Sequence, residues 1–247
     1  MAASEHHRRK IWAVSSGITN NSHLAHFLGS NVKKIKGKGP ISAEDLIVGW
    51  GHKANTRKAK QLALQLGVAY LHLEDGFIGY LGHPTDNSNR LSLIQDQTGV
   101  YYDATQSNDL ELLCLSAKQW FTPELEKRAE NLREQITALG ISKYNHQREN
   151  LPAWLAEQDN HSAILVVDQT AGDMSVEYGL GSKQAFTQMI ADALADHPDQ
   201  LVIVKTHPDV IKGKKKGYLD IQACSHPRVR LLADDCALKA LFEKVER

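Results

Sequence analysis

Short apolar runs that break off in polar, glycine-bearing turns recur along this chain, with helix-patterned stretches between them. Ile11–Val14 stops at Ser15-Ser16-Gly17, Asp45–Val48 at Gly49-Trp50-Gly51-His52-Lys53, and Val68–Leu73 at Glu74-Asp75-Gly76-Phe77. Unbroken apolar runs of this length predict strands buried on both faces of a parallel sheet. The stretches between them read as crossover helices. One carries Leu24, Phe27 and Leu28 and is capped by Asn21 or Ser22; the other runs from Asn55 to Leu66 and is closed by Gly67. Leu91–Ile94 and Val100–Tyr102, around Gln97-Thr98-Gly99, predict a hairpin. A helix capped near Asn108 holds Leu110, Leu112, Leu113 and Leu115, and a long amphipathic helix runs from Thr122-Pro123 to Leu139-Gly140.

The same rhythm resumes after a polar stretch. The run Ala163–Val167 meets Asp168-Gln169, a helix spans Ser182–Asp196, and Leu201–Val204 meets Lys205-Thr206-His207-Pro208. A strand at Val229–Leu232 and a helix at Ala237–Val245 follow. The expected organisation is a disordered tail at 1–10, an N-terminal α/β domain at 11–145, a linker at 146–160 and a C-terminal α/β domain at 161–247. In open sheets of this kind ligands bind beyond the carboxyl ends of the strands. The turns named above are therefore the places to look for chemistry.

Composition narrows the classes. Charged residues balance at 29 against 29, so the whole molecule offers no electrostatic case for nucleic-acid binding. Local basic runs remain at Arg8 to Lys10, Lys33 to Lys38 and Lys212 to Lys216; they read as solvated loops or as contacts for anionic headgroups or glycans. Cys114, Cys224 and Cys236 follow no disulfide or zinc spacing, which fits a reducing compartment. No apolar run approaches the roughly 20 residues that span a bilayer, and no signal-peptide pattern opens the chain. The expectation is a cytoplasmic protein, with peripheral attachment at the inner membrane as the further option.

Among the strand-end residues, Glu74 and Asp75 are adjacent carboxylates, of which alternation lets one face a given site; a surface pair is the alternative. Asp168 reads as a nucleophile or general base, or as a helix cap. Lys205 and His207 share a face if the strand persists that far, and together they suit an anionic substrate. Ser16 and Gly17 form a turn whose backbone N–H groups suit an anion or serve a plain strand–helix connection. Trp50 is either core or a stacking platform. Walker, dinucleotide-binding, nucleophile-elbow and zincin motifs are absent.

Taken together these turns resemble the capsule polysaccharide biosynthesis proteins of the KpsC/LipB type. The resemblance rests on Ser16-Gly17-Ile18 with His23-Leu24, Gly49-Trp50-Gly51, Leu73 to Phe77, Gly99 to Thr105, Ile141 to Asn145, Val166 to Thr170, Gly172-Asp173 and Lys205 to Asp209, in that order. It implies a GT-B-like α/β fold of two Rossmann-like domains, the second incomplete, because the family's modules continue past this C-terminus with a strand–turn–helix that would hold CMP. It further implies a retaining glycosyltransferase that moves β-Kdo from CMP-Kdo to a phosphatidylglycerol-type glycolipid acceptor, in concert with capsule assembly and export proteins. By the same resemblance Asp168 is the nucleophile, Glu74 or Asp75 the acid/base, and Lys205, His207 and Gln169 donor contacts, with Ser16, Gly17 and Trp50 lining the site. No metal or other cofactor is implied. The Glu-Asp-Gly triplet also looks like a motif of bacterial sialyltransferases. Gly79-Tyr80 stands where the family pattern has an Arg. Two other readings go with this one: a catalytically incompetent truncated relative that acts as a scaffold in capsule assembly and export, and a hydrolase using Asp168.

Overall fold

The structure, a computed structural model, describes residues 9–37, 39–81, 90–143, 145, 150–219, 225–234 and 236–246. The tail through Arg8, Lys38 of the basic run, positions 82–89, Tyr144, positions 146–149 of the expected linker and Cys224 lie outside the described residues. The chain groups into two compact units, Met1–Tyr80 with Asn87–Thr122, and Leu81–Asp86 with Pro123–Arg247.

Unit 1 runs β1 (Ile11–Ala13), α1 (Ser16–Thr19), α2 (Leu24–Leu28), β2 (Val32–Lys34), β3 (Leu46–Trp50), α3 (Ala54–Leu66), β4 (Ala69–Asp75), β5 (Leu93–Asp96), α4 (Asp109–Leu115) and α5 (Ala117–Trp120). Its described strands form one sheet in the order β2-β1-β3-β4-β5, parallel except for β5. Strand alternation divides its apolar residues between two layers. Ile11, Ala13, Val48, Leu71 and Leu73 pack with Ile18 and Leu24. Trp12 and Ile47 pack with Ala59 and Ala63 of α3. At the amino end of β3 the buried Asp45 carboxylate accepts from Lys10 N, Trp12 Nε1 and Ser42 N at 3.1, 2.8 and 3.0 Å. Burial opposes its charge, but these bonds outweigh it and hold the carboxyl down at about 2.

Two expectations change here. The antiparallel partner of β5 is β4, with His72 opposite Asp96, and Val100–Tyr102 is a turn rather than a strand. The cause is Asp96, whose Oδ1 accepts from Thr98 N and Gly99 N and whose Oδ2 accepts from Asp109 N, at 2.7 to 2.9 Å. Those amides are satisfied by a side chain, so no strand ladder is needed there. Asn108 caps α4 as expected, by accepting from Glu111 N. Its leucines are exposed rather than core. The helix after β3 begins at Ala54, with no side-chain cap from Asn55, and it ends at Gly67, whose left-handed φ of 63° suits glycine.

Unit 2 runs α6 (Pro123–Leu139), α7 (Ala153–Ala156), β6 (Ala163–Val167), α8 (Met174–Tyr178), α9 (Lys183–Asp196), β7 (Leu201–Lys205), α10 (Pro208–Ile211), β8 (Val229–Leu232) and α11 (Leu238–Phe242). Its described strands form a parallel sheet in the order β6-β7-β8. Ser182 caps α9 through its hydroxyl, which accepts from Ala185 N. Ile164, Val166, Val202 and Val204 pack on one face with Phe186 and Ile190 of α9. Ala163, Ile203 and Leu232 pack on the other with Leu155 and Leu241. That alternation decides where the strand-end side chains point.

Candidate functional site

Each unit gathers polar residues at the carboxyl ends of its parallel strands. In unit 1, β4 extends through Glu74 and Asp75, which pair with Ile94 and Leu93 of β5, so the two carboxylates leave opposite faces of the strand. Glu74 Oε1 accepts from Trp50 Nε1 at 2.9 Å and from Asp75 N at 3.0 Å. Asp75 forms an ion pair with Arg90 and accepts from Tyr80 OH at 3.2 Å. The Arg90 guanidinium lies 4.4 Å from the Trp50 ring centroid and 5.3 Å from that of Tyr80, at cation–π distance. Trp50 is thus half-buried against the core and roofed by a guanidinium. Gly51, at φ 50°, leaves room on its open side for Glu74 Oε2 and Tyr102 OH; a Cβ there would come within 2.7 and 2.6 Å of them.

Behind this pair lies a second polar layer. His52 contacts Asp103 at 2.8 Å through Nε2, and its backbone N–H donates to Tyr102 OH at 3.3 Å. Burial opposes the charge on Asp103, yet hydrogen bonds from Thr105 and Gln106 hold its carboxyl below the usual range. His72, 3% exposed, has no hydrogen-bond partner on either ring nitrogen. Burial draws its pKa down to about 4, with Lys60 and His52 adding repulsion, so it is neutral near pH 7. Ser16 and Gly17 open α1 just past β1, and Ser16 Oγ accepts from Lys34 Nζ.

In unit 2, Asp168 is 2% exposed. Its Oδ1 accepts from Gln169 N, Tyr218 N and Leu219 N at 2.8, 3.0 and 3.2 Å, which ties the loop after the basic run to the end of β6. Oδ2 has no hydrogen-bond partner and lies against Gly217, where a Cβ would sit 2.0 Å away. Lys205 is 6% exposed, and among the described residues neither its Nζ nor Thr206 Oγ1 has a hydrogen-bond partner. Within β7 alternation places Lys205 on the Ile203 face, whereas Asp168 and Thr206 lie one residue past the ends of β6 and β7. The strand ends at Lys205, so the condition for Lys205 and His207 to share a face is not met. His207 instead precedes α10, where its Nδ1 accepts from Asp209 N at 3.1 Å. Burial, opposed by Asp209 and reinforced by Lys215, lowers the His207 pKa. The neutral ring then carries its proton on Nε2. Asp173 caps α8 and interacts electrostatically with His207 and Lys215. Gln169 accepts from Tyr218 N through its carbonyl.

Arg90, Tyr102, His52 and Asp103 join the candidate residues only through the structure. The hydrophobic pattern gives no reason to select them, although Tyr102 and Asp103 fall within the Gly99-to-Thr105 stretch of the resemblance. Among the described residues no cluster of His, Cys, Asp and Glu is arranged to hold a metal ion, and no helix is long and apolar enough to cross a membrane.

Over residues 45–247 the chain matches the family described as capsule polysaccharide biosynthesis protein. It belongs to that family. It is 35% identical, over 97% of its length, to the capsule polysaccharide modification protein LipA of Neisseria meningitidis serogroup A, and it spans 33% of that relative. The lipopolysaccharide-processing protein LpsZ of Rhizobium meliloti is 28% identical over 80% of the chain, which spans 44% of LpsZ. Among solved structures, the β-Kdo 2,4 transferase of Thermosulfurimonas dismutans KpsC superposes with a TM-score of 0.80 at 38% identity, covering 94% of this chain and 70% of that one. The β-Kdo 2,7 transferase of the same protein, at 20% identity and a TM-score of 0.56, shares the fold. This capsule family member therefore has the mixed α/β, GT-B-like architecture expected from its sequence.

Proposed function

We propose that this chain is a glycosyltransferase module that takes β-Kdo from CMP-Kdo and transfers it to a lipid-linked acceptor in capsule biosynthesis. The observation that carries the reading is Lys205, a cation 6% exposed with no hydrogen-bond or ion-pair partner among the described residues. A buried, unpaired ammonium costs several kcal/mol, and an arriving anion relieves that cost. A nucleotide monophosphate leaving group or a sugar carboxylate supplies such an anion. The likeness to a β-Kdo transferase makes CMP-Kdo the donor of choice.

In this reading Asp168 Oδ2 attacks the anomeric carbon and the C–O bond to CMP breaks, with the electron pair leaving on the phosphate. Lys205 offsets the phosphate charge, and His207 donates from Nε2. The acceptor hydroxyl then loses its proton to a general base as the acceptor oxygen displaces the Asp168 carboxylate, for net retention; by the family resemblance that base is Glu74 or Asp75. Glu74 suits that role better than Asp75, which an ion pair with Arg90 already occupies.

Titration calorimetry with CMP and CMP-Kdo tests the reading on wild type and on Lys205→Ala/His207→Ala. Binding that the double variant loses is the expected result. A folded wild type that binds neither nucleotide sinks the transferase reading for this chain and favours a scaffold in capsule assembly.

A further inference from the structure

We propose that the α3 face of unit 1 is a docking surface for an anionic lipid bilayer. Residues 9–60 hold ten Lys and Arg against two acids, whereas the rest of the chain holds 19 against 27. One of those acids, Asp45, is fully buried and committed to three hydrogen bonds. The structure gathers much of the surplus on one side of the sheet. Lys33 sits over Trp12, with its Nζ 5.9 Å from the ring centroid, and Trp12 packs with α3. The residues Lys53, Arg57, Lys58 and Lys60 belong to α3 or its N-cap, and the helix carries no acidic residue. All four are exposed, as are Lys33 and Lys36. None of these six cations takes part in an ion pair among the described residues.

An unpaired basic face alone fits any polyanion. The apolar residues on the same helix decide between them. Arg57, Lys60 and Leu64 follow one another at three- and four-residue spacing, so they share a stripe. Leu64 is 84% exposed and Leu66 is exposed beside it. Cations with protruding leucines and a basal layer fixed to a sheet are what an interfacial helix needs to engage headgroups and the acyl boundary together. The stripe has no exposed aromatic ring on which bases would stack.

Flotation of the full chain with phosphatidylcholine vesicles, with and without phosphatidylglycerol, tests the surface. Binding is expected only with phosphatidylglycerol and is expected to weaken in about 0.5 M salt. Lys33→Gln/Arg57→Gln/Lys60→Gln should weaken it roughly hundredfold, and Leu64→Ser should weaken it further. Lys127→Gln/Arg128→Gln/Arg133→Gln on α6 removes the same charge and should bind as wild type. Circular dichroism confirms that each variant is folded. Equal binding to neutral vesicles, equal loss in both triple variants, no loss in the α3 triple, or capture by heparin without vesicle binding would each overturn the proposal. Loss of vesicle binding in Lys205→Ala/His207→Ala would also overturn it, because the lipid would then be held at the strand-end site. Retained vesicle binding in that variant keeps this surface independent of the donor reading.

Discussion

In unit 1 the Trp50 indole, the Asp75 amide, Tyr80 and Arg90 engage the carboxylates of Glu74 and Asp75, whereas in unit 2 Asp168 Oδ2, Lys205 Nζ and Thr206 Oγ1 have no hydrogen-bond partner among the described residues. The first arrangement is a frame whose geometry is set before any ligand arrives. The second holds polar atoms out of water without compensation, which lowers stability until something binds. Where a protein leaves charge unanswered, a ligand of opposite charge gains most. On the transferase reading, the contrast favours the unit 2 strand ends as the place for an anion.

The sharpest way to break the contrast is Lys205→Met. Removal of the buried ammonium should weaken donor binding by about a hundredfold or more while raising the unfolding midpoint. Calorimetry and thermal melts read the two effects together, and a variant both weaker in binding and less stable would mean that Lys205 is structural. Next in size is the acid response of unit 1. The folded chain refuses a proton on His72 down to about pH 4, while the unfolded chain takes it near 6.5. Stability from this group is thus complete above about pH 6.5 and drains as pH falls toward 4, by up to about 3 kcal/mol. Denaturant titrations of His72→Leu should show a flatter profile over that window. Gly217→Ala places a methyl against Asp168 Oδ2 and should cost about 2 kcal/mol, a loss that chemical denaturation detects. Smallest is Trp50→Phe, which removes one hydrogen bond to Glu74 and should cost about 1 kcal/mol of transition-state stabilisation. That change should appear in kcat with little change in KM.

The elements most readable from sequence are those that a local pattern overdetermines. Ile164–Val167 and Leu201–Val204 are continuous apolar runs with polar ends, and Gly67, Asn108 and Ser182 sit where helix ends require them. Edge strand β2 escapes because one apolar residue, Val32, beside two lysines leaves no period to detect. The Val100–Tyr102 turn escapes because Asp96, by accepting from Thr98 N, Gly99 N and Asp109 N, fixes the chain on both sides of it. Arg90 meets Asp75 and Trp50 although no periodicity in the sequence selects it. The candidate residues were legible as strand ends. Their faces were not, because that depends on whether β7 stops at Lys205 or continues to His207.

The three backbone amides on Asp168 Oδ1 make this residue a poor target for truncation. Alanine there would release the 217–219 segment as well as any nucleophile, and a dead variant would not say which loss killed it. Asparagine keeps a carbonyl oxygen for the amides and removes the charge. A diagnostic experiment at this position is an isosteric one, with the anchored loop as its internal control.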